Sequence, residues 1–127
     1  MLYQRTSSKS LDQIDHDLRE AAARNKFGVL AMLDLKQTMK NKGVDFGSEV
    51  RVYEVCNPFH AKTVLQESGA VSTALPCRIS VYQSPEGTQV ATILPSELMR
   101  MFASTPVMEK TAAEVERTLK AMIDETA

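Results

Sequence analysis

Between Cys77 and Leu94 the chain runs out as one alternating strand and back as another, joined by Ser84-Pro85-Glu86-Gly87. In the first run Cys77, Ile79 and Val81 point one way and Arg78, Ser80 and Tyr82 the other. Proline is favoured at the second position of a type I turn and glycine at the fourth, so Cys77–Gln83 and Thr88–Leu94 read as a hairpin. A hairpin commits the sheet to at least one antiparallel pair, and the remainder of the 127 residues must fold around it. A chain of that length suits one domain over residues 1–127 and buries roughly 65–70% of its unfolded surface.

The rest of the chain alternates between strand and helix signals. Leu2 to Thr6 reads as a first strand. Ser10-Leu11-Asp12-Gln13 has capping-box spacing, and Leu11, Ile14, Leu18 and Ala21/Ala22 then form an apolar stripe at helical period to about Arg24. His16 lies off that stripe, among Asp15, Asp17 and Arg19, and reads as solvated. Phe27-Gly28-Val29-Leu30-Ala31-Met32-Leu33 has no polar side chain, so a strand covered on both faces is expected. Asp34 suits the cap of a short helix with Leu35 and Met39 inward, ending near Gly43. From Glu49 to Val55 the pattern alternates again: Val50 and Val52 share a face with Glu54 and Cys56, Arg51 and Tyr53 the other. Asn57 then fits an N-cap and Pro58 the first helical position, with Ala61, Val64 and Leu65 as the buried stripe. Pro95 and Ser96 open a short helix. A last one after Pro106 carries Val115, Leu119, Met122 and Ile123 inward, with Glu114, Glu116, Arg117 and Lys120 expected in water.

Several function classes are disfavoured. Fifteen basic against sixteen acidic residues give a net charge of −1, without the basic excess that nucleic-acid binding requires. The longest apolar run, Phe27 to Leu33, is far short of the ~20 residues that cross a bilayer, and no polybasic anchor accompanies it. The N-terminus lacks the apolar core of a secretory signal, so a cytoplasmic location is expected. No phosphate-binding glycine loop, Gly-x-Ser-x-Gly elbow or His-Glu-x-x-His occurs.

The candidate site lies between Glu49 and Gln83, around the two cysteines of the chain, Cys56 and Cys77. Cys56 precedes the cap of a predicted helix, an environment that lowers a thiol pKa, and His60 falls on the first turn of that helix. Core packing is the simpler reading, because free cysteine is among the most buried residue types. Two cysteines and one histidine fall one ligand short of a closed zinc site, even with Glu54 as a fourth donor to consider. The position of Cys77 depends on topology. If strands 49–55 and 77–83 are antiparallel neighbours, Cys56 and Cys77 are close. If they form a parallel crossover, the cysteines lie at opposite ends of the sheet.

Cys56-Asn57-Pro58 with Ala61, paired with Leu75-Pro76-Cys77-Arg78 and a following Val-Tyr, resembles the bacterial domain-of-unknown-function family 302. The amphipathic first helix, the Phe27-Gly28-Val29-Leu30 strand and the closing helix fall where that family has them. The resemblance implies an α+β fold: an antiparallel sheet with helices packed on one face, β-α-β4-α-like and similar to the TATA-box-binding-protein fold, forming a homodimer. It implies no established reaction or cofactor. It also extends the antiparallel arrangement to strand 49–55. Cys56 and Cys77 should then face each other at the ~4.5–5.5 Å of cross-strand Cα atoms, on the side where Val52 and Ile79 point inward, with Cys56 the more acidic because it alone precedes a helix N-terminus. Cys56, Asn57, Pro58, His60, Cys77 and Glu54 are the candidate binding residues; no catalytic or metal-ligating set is assigned. The expected function is binding of an unidentified small ligand, or partner interaction, by a homodimer. A thiol-based redox or sulfur-handling protein using Cys56 and Cys77 is the alternative, and an adaptor dimer without a ligand the third. No nucleic-acid or membrane partner is expected.

Overall fold

Each strand signal and each major helix signal corresponds to an element in a computed structural model, which describes all of residues 1–127. The elements are β1 (Leu2–Ser7), α1 (Leu11–Arg24), β2 (Gly28–Asp34), α2 (Leu35–Asn41), β3 (Val50–Cys56) and α3 (Pro58–Glu67), followed by a 3₁₀ turn (Gly69–Ala74). Then come β4 (Cys77–Ser84), β5 (Gly87–Ile93), α4 (Pro95–Met99) and α5 (Pro106–Thr126). The five strands form one sheet in the order β1-β5-β4-β3-β2, with every neighbouring pair antiparallel. This is an α+β fold. The β4–β5 hairpin turns at Ser84 and Gly87, and Gly87 has φ +134°, where a Cβ would come within 2.7 Å of the Ser7 carbonyl oxygen on β1. The turn therefore needs glycine for its conformation and for the closeness of the neighbouring strand.

Side-chain caps set the helix starts. Ser10 accepts from the Gln13 N–H, Asp34 from the Gln37 N–H, and Thr105 from the Met108 N–H. Only half of the α1 capping box forms, because the Gln13 amide turns forward to Asp17 at 2.9 Å. At the other end of α1, the Phe27 N–H reaches the Ala22 carbonyl and the Lys26 N–H that of Ala23. Lys26 takes the left-handed conformation between them (φ 62°), the place where a helix usually ends on glycine.

Helices α1 and α5 cover one face of the sheet. Leu11, Ile14 and Leu18 from α1 and Leu119, Met122 and Ile123 from α5 enclose Tyr53, Val55, Ile79, Val81 and Val90 in a cluster of 15 buried residues. Each such aliphatic side chain contributes roughly 1.5–3 kcal/mol by leaving water. Tyr53 carries its one polar atom to the rim, where the hydroxyl donates to Asp15 at 2.6 Å. The opposite face presents Leu2, Leu33 and Ile93 to solvent.

Three expectations are corrected. β2 is an edge strand covered by helices on one side only: Leu30 is 63% and Leu33 40% exposed. A bulge between Val29 and Ala31 lets Val29 and Met32 both reach the core although they are three residues apart, which plain alternation forbids. On β3 the inward face is that of Tyr53 and Val55, with Val52 on the other side. On α3, Leu65 is exposed, and Val64 is the buried residue. His16 stands in water beside Asp17 and Glu20. Glu114 and Glu116 are more engaged than their charge suggests: Glu116 accepts from the backbone and the hydroxyl of Ser96.

Candidate functional site

Beyond the main core, where β3 ends and β4 begins, the chain leaves the sheet and returns through α3 and the 3₁₀ turn. Asn57 makes this exit possible by accepting from the N–H groups of Phe59 and His60, and Pro58 follows with no N–H to satisfy. Helices α4 and α5 close the far side. A second cluster forms there from Val64, Val71, Met99, Met108 and Ala112. Between the two clusters lies a cavity of about 50 Å³, lined mostly by apolar side chains together with Cys56, Asn57, His60, Cys77 and Thr111.

His60 is the polar group with most to offer in this cavity. Its Nε2 lies 3.6 Å from a Glu114 carboxylate oxygen on α5, and its ring tilts against Phe27 at 6.4 Å between centroids. The other ring nitrogen, Nδ1, is buried without a hydrogen-bond partner. A buried polar atom in that condition costs free energy that a suitable partner would recover.

The thiols behave differently from the expectation. Val55 stands opposite Cys77 across β3 and β4, while Cys56 stands opposite Gly28 on β2. The cysteines are therefore not a facing cross-strand pair, and both are free. Burial pushes the Cys56 thiol up; burial, and then the neighbouring Cys56, push Cys77 up to about 11. The anticipated acidification of Cys56 fails because Asn57 takes the first N–H groups of α3 and the thiol is partly desolvated. Two protonated, unpaired thiols do not make a redox pair or an activated nucleophile at neutral pH. The thiol alternative finds no support in this arrangement.

Of the expected site residues, Cys56, Asn57, His60 and Cys77 meet at the cavity. Pro58 is exposed on the first turn of α3. Glu54 lies on the other side of β3, opposite Arg78 and Ala31. Nowhere in the chain do three or more His, Cys, Asp or Glu side chains gather as a metal site would require. Sequence reasoning missed Phe27 and the α5 wall of Thr111 and Ala112. The only signal for that wall was the α5 period carried back one turn from Val115.

Comparison with known proteins agrees with this architecture. The model of the family described as Domain of unknown function DUF302 matches residues 3–126. A solved structure similar to this chain is an uncharacterized conserved protein DUF302 from Bacillus stearothermophilus. It has 31% sequence identity and a TM-score of 0.92, over 99% of this chain and 98% of that one. No curated protein matches. No helix is long and apolar enough to cross a membrane.

Proposed function

This chain belongs to the DUF302 family, and we propose that it is a binding domain for a small, largely apolar molecule held beside His60. The observation that supports this most is a mostly apolar cavity lined in part by His60, whose Nδ1 is buried without a partner. Apolar lining with a few convergent polar groups is the usual composition of a ligand site. A space of about 50 Å³ admits only the end of a molecule, so the rest lies toward the mouth. Binding rather than catalysis fits the chemistry, because burial leaves neither thiol activated. A cavity at this position also favours a ligand over an adaptor role without one.

The test is a crystal grown with hexanamide, whose tail suits the lining and whose amide can donate to a neutral ring nitrogen. Density in the cavity with the amide in hydrogen-bond reach of His60 Nδ1 is the expected result. An empty cavity, with hexanamide absent or lodged elsewhere, would overturn the reading.

A second copy of the chain on the open face of the sheet is the accompanying reading. Leu33 is exposed there beside the half-buried Val52, and Leu2 and Ile93 are exposed at the opposite edge; a two-fold pairing of that face would cover them. Light scattering should return about twice 14.1 kDa; a particle of single mass at high micromolar concentration would contradict it.

A further inference from the structure

Adjoining the His60 cavity is a larger one of about 250 Å³, and the two share the walls formed by Ala74, Cys77, Pro95 and Leu98. The outer space opens past Arg78, Met101 and Phe102. Arg78 differs from most arginines of the chain. Arg5, Arg19, Arg24, Arg51 and Arg100 each have a carboxylate within 4.0 Å. Arg78 has none, although Glu54 is its cross-strand neighbour. Its backbone is held in place, since the Thr92 hydroxyl donates to the Arg78 carbonyl at 2.7 Å. Arg78 is exposed and is one of the residues lining the outer cavity.

We infer that the ligand is a short-chain monocarboxylate with a hydrogen-bond donor at its far end, that end beside His60 and its carboxylate on Arg78. This rests on the small-ligand reading above and adds the charge. A planar guanidinium offers two parallel N–H donors that match a carboxylate. The lining of the two cavities contains one arginine and no lysine, which suits one negative charge better than the two of a phosphate monoester. Cys77 and Leu98 line both cavities, so an alkyl chain joining the two ends of such a ligand would run past them.

The experiment titrates the whole chain with 6-hydroxyhexanoate and with 6-hydroxyhexanamide, two probes of nearly equal shape that carry the same hydroxyl donor for His60, followed by amide shifts in NMR spectra. The carboxylate probe should bind about five-fold more tightly, the upper range for a partly solvated charge pair, and added salt should narrow the gap. Arg78→Gln should bring the two probes to parity with the affinity of the amide probe unchanged, and Arg78→Lys should retain part of the preference. Binding of the amide probe with no preference for the carboxylate, or a preference that survives Arg78→Gln, would overturn the carboxylate and leave the small-ligand reading standing. If neither probe binds, both fall together.

Discussion

The two hydrophobic clusters of this domain share helix α5 but are built differently. Against the sheet, α1 and α5 close over 15 buried residues, with the polar atom of Tyr53 led out to Asp15. At the α3 and α4 end, five buried residues stand beside a cavity of about 50 Å³, and a histidine nitrogen is left buried without a partner. The first region spends its side chains on filling volume, and interiors packed that way resist any change of shape. The second keeps room and an unsatisfied polar atom. Labour is divided along α5: residues after Val115 hold the fold, Thr111 and Ala112 wall the cavity, and Val115 belongs to both.

Removing the same side chain from each region should expose the difference most strongly. Met122 and Met108 are both fully buried, one in each cluster. Met122→Ala should cost about 4 kcal/mol and Met108→Ala about 2 kcal/mol, because cost depends on how far the surroundings can collapse. Denaturant unfolding of the two variants checks this, and equal losses would break the comparison. Adding volume should sharpen it. Ala22→Val in the filled core should cost about 2 kcal/mol. Ala112→Val, at the cavity, should cost about 0.6 kcal/mol, little beyond the helix propensity of valine. Thermal unfolding of this pair gives the answer.

The polar outlet of the main core gives a pH test. Burial works to raise the Asp15 carboxyl, but hydrogen bonds from Tyr53 and Arg19 and the charges of Arg19 and Arg51 leave it below its usual value. Stability from a depressed carboxyl is present above its unfolded pKa, about 3.9, and is lost as pH falls through the lower folded value. Tyr53→Phe should therefore cost about 1 kcal/mol at neutral pH, allowing for the partial exposure of Asp15. The gap to the native chain should narrow in acid unfolding as pH falls below that unfolded value. The smallest effect should come from Lys26→Gly, which relieves the left-handed residue after α1. A gain of about 0.5 kcal/mol is expected there, since the freer unfolded chain offsets part of the relief.

Local chemistry made much of this fold legible. Ser10, Asp34 and Asn57-Pro58 announce helix starts by what their side chains can accept, and Ser84-Pro85-Glu86-Gly87 announces the hairpin. What sequence could not carry was any fact that depends on a distant strand. The pairing of Val55 with Cys77 is a choice of register, and a one-residue difference moved Cys56 out of the facing position. β2 reads as fully covered because it has no polar side chain, yet it ends on an edge, where its bulge selects which residues turn inward. Glu114 reads as solvated surface from its own helix; its approach to His60 exists only because α3 packs across α5. The site was half visible for the same reason. Its β3–α3 wall lies in a contiguous motif, and its α5 wall lies some fifty residues away.

The account stands most directly on whether the cavity beside His60 takes a ligand end, and Ala112→Val can plug it from the α5 wall. Amide shifts of the native chain titrated with hexanamide should move at Cys56, Asn57 and Phe59 to Ala61, at Leu75 and Cys77, and at Thr111 to Val115. The Ala112→Val variant, with its spectrum otherwise native, should lose those shifts. A variant that binds hexanamide as well as the native chain does, or native shifts confined to other surfaces, would contradict the account.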